Sequence, residues 1–421
     1  QLNFKEATIK GQGKDKGLFF PEDISKFSNE FLKNLPNLSN EEIAYQVMKD
    51  FAGDEIPEAE LRKIVAETIA FEIPLKKVTE NISVLELFHG PTLAFKDVGA
   101  RFMSRCLGYF LKNETRKVTV LVATSGDTGG AVANGFYDVE GIEVVILYPK
   151  NRVSPVQEKQ LTALGKNIHA LEVNGSFDDC QALVKQAFSD ESLNEKLLLT
   201  SANSINVARW LPQQIYYVLA LKQWLKINSE NPVICVPSGN FGNICAGILA
   251  HHRGLPVEHF IAACNVNDVV PEYLRTEILK PKETVATISN AMDVGDPSNF
   301  VRILELFDKE FNQVKNKLSG YTIDDEETLK TIERVEKDYG YVLDPHGAVA
   351  FVALEKYLAE NGGKGFFLET AHPVKFPDSV EKATGKSVEI PKSLEELMKQ
   401  EKFTTEINPQ YEELKEFLLK K

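Results

Sequence analysis

The middle of the chain alternates two patterns. Short unbroken apolar runs, VTVLVA (Val118–Ala123), VVILY (Val144–Tyr148), IHALEV (Ile168–Val173), VICV (Val233–Val236), FIAAC (Phe260–Cys264) and FFLE (Phe366–Glu369), are rich in β-branched and aromatic residues. Between them lie stretches with helical spacing, such as CQALVKQAF and RWLPQQIYYVLALKQWL. A strand that reads as a continuous apolar run is covered on both faces, and intervening helices supply that cover. The pattern predicts an α/β protein built on parallel sheets.

The two ends read differently. Residues up to about 75 are expected to be mainly helical: Ser39 and Glu42 have capping-box spacing before IAYQVMKDF, and Pro57 suits the first helical position of PEAELRKIVAETIAF. From Ser393 onward, SLEELMKQEKF and YEELKEFLLKK form a charged, helical, packed tail. The expected organisation is a helical N-terminal segment (1–80), a smaller α/β lobe (81–215) and a larger α/β lobe with the tail (216–421). No internal repeat or low-complexity segment interrupts it.

A length of 421 residues suits two or three domains around a well-buried core. The formal net charge of −13 disfavours nucleic acid and anionic membranes as partners. It leaves room for a small anionic substrate at a local basic cluster such as Lys150, Arg152 and Lys159. No apolar run approaches the ~18 residues that span a bilayer. The opening QLNFKEATIKGQGK has no apolar signal core, so a cytoplasmic location is expected; without an initiator Met, the chain reads as processed or truncated. The five scattered cysteines fit reduced core thiols, and no CxxC or Cys/His cluster suggests a metal.

Four loops could carry chemistry. In LFHGPTLAFKD (Leu87–Asp97), Lys96 stands at the start of a helical stripe, where the helix dipole disfavours a cation. Alone it reads as a solvated lysine; the His-Gly-Pro-Thr turn and Phe95 point instead to a held, partly desolvated amine able to form a Schiff base. In ATSGDTGGAVA, Ser125, Gly126, Asp127, Thr128 and Gly129 join a strand to a helix, as either an ordinary capping loop or a carboxylate or phosphate site. Ser238, Gly239, Asn240, Phe241, Gly242 and Asn243 in VPSGNFGNICAG repeat that arrangement, with two glycines that let backbone wrap an anion. Lacking the lysine of GxxxxGK, this loop suits a cofactor monophosphate better than ATP. In ETAHPVKF, Thr370 is a strand-end hydroxyl that could bond a heterocyclic nitrogen, and His372 reads as a satisfied loop histidine.

Taken together, LFHGPTLAFKD, ATSGDTGGA, YPKNRVSPVQEKQ, SANSINVARWLPQ, PSGNFGN and LDPHGAVA resemble, in order, the motifs of the threonine synthase family. FKEATIKGQGKDKGLFFPED likewise resembles that family's N-terminal segment, and the likeness covers nearly the whole chain. These are fold-type-II pyridoxal-phosphate enzymes related to the tryptophan synthase β-subunit. The resemblance implies two parallel-sheet αβα lobes with a helical N-terminal segment. It implies that Lys96 holds pyridoxal 5'-phosphate covalently, that Ser238–Asn243 hold the cofactor phosphate, and that Thr370 faces the pyridine nitrogen. Ser125–Gly129 would take the substrate α-carboxylate, and Ser154, Gln157, Asn203, Ser204, Asn206 and Arg209 the substrate phosphate. Family members usually begin earlier, with a Tyr-Ser-Thr segment near the substrate site. The implied reaction converts O-phospho-L-homoserine and water to L-threonine and phosphate in a monomer or homodimer, with Lys96 moving the Cα proton. The rival expectations are a phospholyase giving 2-oxobutyrate, ammonia and phosphate, a serine/threonine dehydratase, and a non-catalytic binding descendant.

Overall fold

A computed structural model of the chain describes residues 1–13, 15–112 and 117–420. Lys14, in the quoted N-terminal stretch, and Lys421, at the end of the tail, lie outside them. The chain forms two compact units, each assembled from separated stretches: Gln1–Phe19 with Lys96–Arg209 and Ile390–Lys421, and Phe20–Phe95 with Trp210–Glu389. Both are α/β units built around a mainly parallel sheet.

The strands in chain order are β1 (Leu75–Lys77), β2 (Ile82–Glu86), β3 (Val118–Ala123), β4 (Ile142–Pro149), β5 (Ile168–Val173), β6 (Leu198–Ser201), β7 (Val233–Pro237), β8 (His259–Cys264), β9 (Leu318–Thr322), β10 (Gly365–Glu369) and β11 (Thr404–Ile407). The first unit holds a five-stranded parallel sheet, β11-β5-β4-β3-β6. The second holds a six-stranded sheet, β1-β2-β10-β7-β8-β9, parallel except for the antiparallel β1–β2 pair. The central strands β3, β7 and β10 are buried along their whole length, as their unbroken apolar runs require. Val145, Leu147, Leu171 and Val173 pack with Leu414 and Leu418 of the tail in the first core. Val84, Cys235, Ile261 and Phe367 pack with Val349, Phe351 and Ala353 of helix Pro345–Asn361 in the second.

Before β1 the chain forms helices Phe4–Lys10, Asn29–Asn34, Asn40–Ala52 and Glu58–Thr68, and two details differ from the expectation. Ser39 caps helix Asn40–Ala52, accepting from Glu42 N at 3.1 Å, but the Glu42 side chain turns to Gln46 and Arg62 and does not complete the box. Pro57 is the N-cap of helix Glu58–Thr68, one residue before its first turn. The tail contains helices Lys392–Lys399 and Tyr411–Leu419, with β11 between them. All five cysteines are buried and free, and burial pushes each thiol up from its ordinary value, which keeps it protonated and unreactive. Among the described residues no helix is long and apolar enough to cross a membrane, and no His/Cys/Asp/Glu group could hold a metal ion.

Candidate active site

In the first unit, β3 delivers Ser125–Gly129 to the start of helix Asp127–Phe136. Thr124 closes the turn, its Oγ1 accepting from the amides of Gly126 and Gly129 at 2.9 Å each. Gly126 has φ +136°, which side-chain-bearing residues rarely adopt, and a Cβ there would stand 2.5 Å from Gln157 Cδ. Gln157 therefore lies directly on the loop. Its Nε2 donates to Asp127 Oδ1 at 2.9 Å, and its Oε1 accepts from Ser154 N at 3.1 Å in the capping box of helix Pro155–Thr162. The structure thus brings Gly126, Asp127, Ser154 and Gln157 together. Ser125 and Thr128 are half-buried, and their hydroxyls make no hydrogen bond among the described residues.

β6 leads into the second group of candidates. Asn206 is fully buried, and its side-chain amide is wholly engaged: Nδ2 donates to the carbonyls of Thr8 at 2.9 Å and Ser201 at 3.1 Å, while Oδ1 accepts from Ala208 N at 3.0 Å. Those bonds hold helix Phe4–Lys10 to the end of β6 and shape the loop around Asn203 and Ser204. Asn203 keeps a buried Oδ1 with no partner among the described residues. Arg209 is buried against helix Lys96–Leu111: a Cβ on Gly99 would stand 2.6 Å from the Arg209 carbonyl and 3.3 Å from its Nε. Lys96 is the first residue of that helix, so the arginine packs one turn from the lysine. Of the basic cluster, Lys150 pairs with Glu406 of β11 at 2.7 Å, and Lys159 bonds the Gln400 carbonyl. The C-terminal stretch takes those two cations.

In the second unit, β7 leads through Ser238–Phe241 into helix Gly242–His252. Ser238 is turned inward, its Oγ donating to Val236 O at 2.9 Å and its amide to Ala263 O at 2.8 Å. Gly239 passes so close to the chain at Met292 that a Cβ would stand 2.6 Å from the Met292 Cα. Asn240 Oδ1 accepts from Ser298 N and Oγ at 2.8 and 2.7 Å, tying the loop to the start of helix Phe300–Leu306. Phe241 holds a left-handed conformation (φ 61°, ψ 9°) at the N-cap, and no side chain caps the helix. The Cys245 amide is the first to find a carbonyl, that of Phe241 at 3.1 Å. Asn243 is anchored by Tyr217, whose hydroxyl lies 2.8 Å from its Oδ1 and 2.9 Å from its carbonyl, while its Nδ2 is buried with no partner among the described residues. An uncapped helix start and an orphaned amide donor have the chemistry to hold an anion.

Thr370 follows β10, buried, with its hydroxyl making no hydrogen bond among the described residues. Its carbonyl accepts from Phe95 N at 2.9 Å, Ala371 bridges Ala94, and His372 N donates to Leu93 O at 3.0 Å. The fully buried Lys375 donates to Thr92 O at 2.8 Å, and Tyr216 OH donates to Phe95 O. Thr92–Phe95 is therefore clamped from both sides, and Lys96 follows it in the chain. His372 accepts from Val374 N at 3.1 Å as the cap of a short turn, and burial holds it down at about 4, neutral near pH 7. Glu86, at the end of β2, collects bonds from His89, Lys76 and Tyr341; although burial opposes ionisation, those bonds hold its carboxyl below the ordinary value. Thr124, Tyr217 and Lys375 were not among the expected site residues. Only Thr124, directly before a glycine turn, carried a local signal.

Three family models match the chain: pyridoxal-phosphate dependent enzyme over residues 69–366, threonine synthase N terminus over 1–69, and threonine synthase, C-terminal, over 347–418. The chain is 47% identical over 396 residues to the threonine synthase of Escherichia coli K12, spanning 94% of this chain and 91% of that one. It is 45% identical over 420 residues to that of Haemophilus influenzae, spanning 100% and 97%. The crystal structure of Escherichia coli threonine synthase superposes with a TM-score of 0.93 at 44% identity, covering 100% of this chain and 97% of that one. A pyridoxal-phosphate-bound threonine synthase from Brucella melitensis also gives 0.93, at 36% identity, covering 99% and 96%.

Proposed function

The chain belongs to the threonine synthase family of pyridoxal-phosphate-dependent enzymes, and from that membership we infer how its own residues serve the reaction. It is a pyridoxal-phosphate-dependent lyase that converts O-phospho-L-homoserine and water to L-threonine and phosphate by γ-elimination and β-addition. The observation that carries the cofactor assignment is the start of helix Gly242–His252. Its uncapped N–H groups and the orphaned Asn243 Nδ2 fit a phosphate, and the close passage at Gly239 leaves that loop no side chain to intrude.

In this reading Lys96 would hold the cofactor covalently, and its amine would take the Cα proton and later return it. Bound pyridoxal phosphate supplies delocalisation of the electron pair left at Cα. The unengaged Thr370 hydroxyl would partner the ring nitrogen and would impose no negative charge on it. The hydroxyls of Ser125 and Thr128, with the glycine backbone of their loop, take the substrate carboxylate. Arg209, Ser154, Gln157, Asn203 and Ser204 take the substrate phosphate, and Asn206 holds their loop in place. Water must add only after phosphate leaves, so these residues also keep solvent from the Cβ and Cγ atoms until that point. The enzyme works as a cytoplasmic monomer or homodimer, and its acidic surface supports no role for nucleic acid.

Lys96→Ala tests the assignment. The variant should fold, lose the covalently held cofactor, and lose turnover by about 10²–10⁴-fold or more; full activity would sink it. Product analysis separates the alternative fate of the same substrate, since dominant 2-oxobutyrate would make the chain a phospholyase.

A further inference from the structure

Nothing in the proposed reaction uses Asp344, His346 and Gly347 of the motif LDPHGAVA. They lie behind the strand end that carries Thr370. Glu369, the last residue of β10, and Asp344, the N-cap of helix Pro345–Asn361, are both completely buried. Glu369 Oε1 accepts from Asp344 N at 2.7 Å. Asp344 Oδ1 accepts from His346 N at 2.7 Å and pairs with His346 Nδ1 at 2.5 Å. His346 Nε2 accepts from Ala291 N at 3.2 Å, which puts the ring proton on Nδ1. Two oxygens remain, Glu369 Oε2 and Asp344 Oδ2, each buried with no donor among the described residues. The two carboxyls are neighbours, since Glu369 Oε1 takes the Asp344 amide. Two carboxylates cannot satisfy one another's remaining oxygens, because neither brings a proton.

We propose that Glu369 and Asp344 share one proton, Glu369 Oε2–H donating to Asp344 Oδ2, and that this single-charge pair is a positioning device for Thr370. One proton satisfies both orphaned atoms and fastens the end of β10 to the start of helix Pro345–Asn361. Gly347 makes room for it: a Cβ there would stand 1.6 Å from Glu369 Oε2. Burial, then the facing charges of Asp344 and Glu86, push the Glu369 carboxyl well above its ordinary value. Tyr341, whose phenol is itself pushed up by burial and by Glu369 and Glu86, also faces it, and Asp293 lies beyond His346. β7, on the other side of β10, brings only apolar side chains. The role toward Thr370 rests on the reading of that residue as the partner of the cofactor ring; the shared proton does not.

The sign of the pH effect follows. An unfolded glutamate titrates near ~4.3, so above that value the folded chain binds one more proton than the unfolded chain. Stability declines as pH rises from there toward the raised folded value, by up to about tenfold in the unfolding constant per pH unit. Glu369→Gln keeps the shape: its carboxamide donates to Asp344 Oδ2 and accepts from Asp344 N.

The test uses the holoenzyme near pH 7. Infrared difference spectra should show the carbonyl stretch of a protonated carboxylic acid in the wild type that Glu369→Gln lacks. Between about pH 5 and pH 8 the variant should gain stability relative to the wild type at up to about that tenfold per unit, with turnover within about twofold. Glu369→Ala strands both Asp344 N and Oδ2, and should lower turnover by about tenfold and shift the cofactor absorbance, with Glu369→Gln restoring both. Absence of any protonated-acid band in the wild type, which requires no variant to fold, would overturn the shared proton. Parallel pH–stability curves for wild type and Glu369→Gln would do the same. Thr370→Val isolates the other reading: an unchanged cofactor spectrum there removes Thr370 from the site and leaves the acid band standing.

Discussion

The loops Ser125–Gly129 and Ser238–Asn243 look alike as sequence, each a strand, a glycine turn and a helix, yet they are finished differently. The first is closed by its own side chains. Thr124 takes two amides, and Gln157 lies over Gly126 and bonds Asp127. What remains for a ligand is mainly a pair of hydroxyls, on Ser125 and Thr128. The second loop turns its serine inward and its Asn240 sideways, leaving a helix start uncapped and one amide donor orphaned. A group that stays bound through every turnover suits a site whose donors have no alternative partner. A substrate that must come and go suits a loop that satisfies most of its own polar atoms when empty. In the proposed assignment the same local motif would serve two residence times, and the surrounding elements set the difference.

The largest expected effect is at Gly239. Alanine there would force its Cβ against backbone at Met292, which cannot rotate away, so cofactor affinity should fall by about 30–100-fold, or about 2–3 kcal/mol. A titration of the apoenzyme followed by absorbance measures it, and substrate KM at saturating cofactor should stay near the wild-type value. Gly126→Ala should do the reverse. Its φ costs about 1–3 kcal/mol for a side-chain-bearing residue, but the colliding group is the movable end of Gln157, so KM should rise about tenfold with cofactor affinity nearly unchanged. If both variants weakened the same ligand, the division between the loops would collapse. The smallest effect is acid sensitivity on the Thr370 side. His372 is held at about 4 by burial, below its unfolded value near ~6.5, so the unfolded chain binds the extra proton between those values. Stability is therefore lost as pH falls through that window, by at most about 1.4 kcal/mol per unit and less for its partial exposure. His372→Phe should flatten the melting temperature against pH there, whereas no histidine stands in the Ser125 loop to respond.

Much of this was legible from residue order. β3 and β5 fall on the runs that predicted them, because most of their positions are apolar and buried. β6, β9 and β11 were hidden for the opposite reason: LLTS, LSGYT and TTEI are short and half polar, and β11 lies between two charged helices. β2 is wholly buried yet reads as an ambiguous ISVLE, since only its partner β10 explains why its Ser83 and Glu86 are inside. The glycine loops could be found by their place between strand and helix. That Asn206 serves the chain, or that Asp344 meets Glu369, depends on residues far apart in sequence and leaves no local trace.

The position of β10 also dictates an order of assembly. It lies between β2 and β7, so the six-stranded sheet has a gap at its centre until nearly the whole chain has been made. A growing chain emerging from the ribosome carries β2 with an open edge from soon after residue 86, and β7 from soon after residue 237, until β10 is made, the state in which strands pair with the wrong partner. Any chain that stops short of Glu369 would keep those edges for good, so truncated products should be sticky and short-lived however much of the catalytic machinery they already contain.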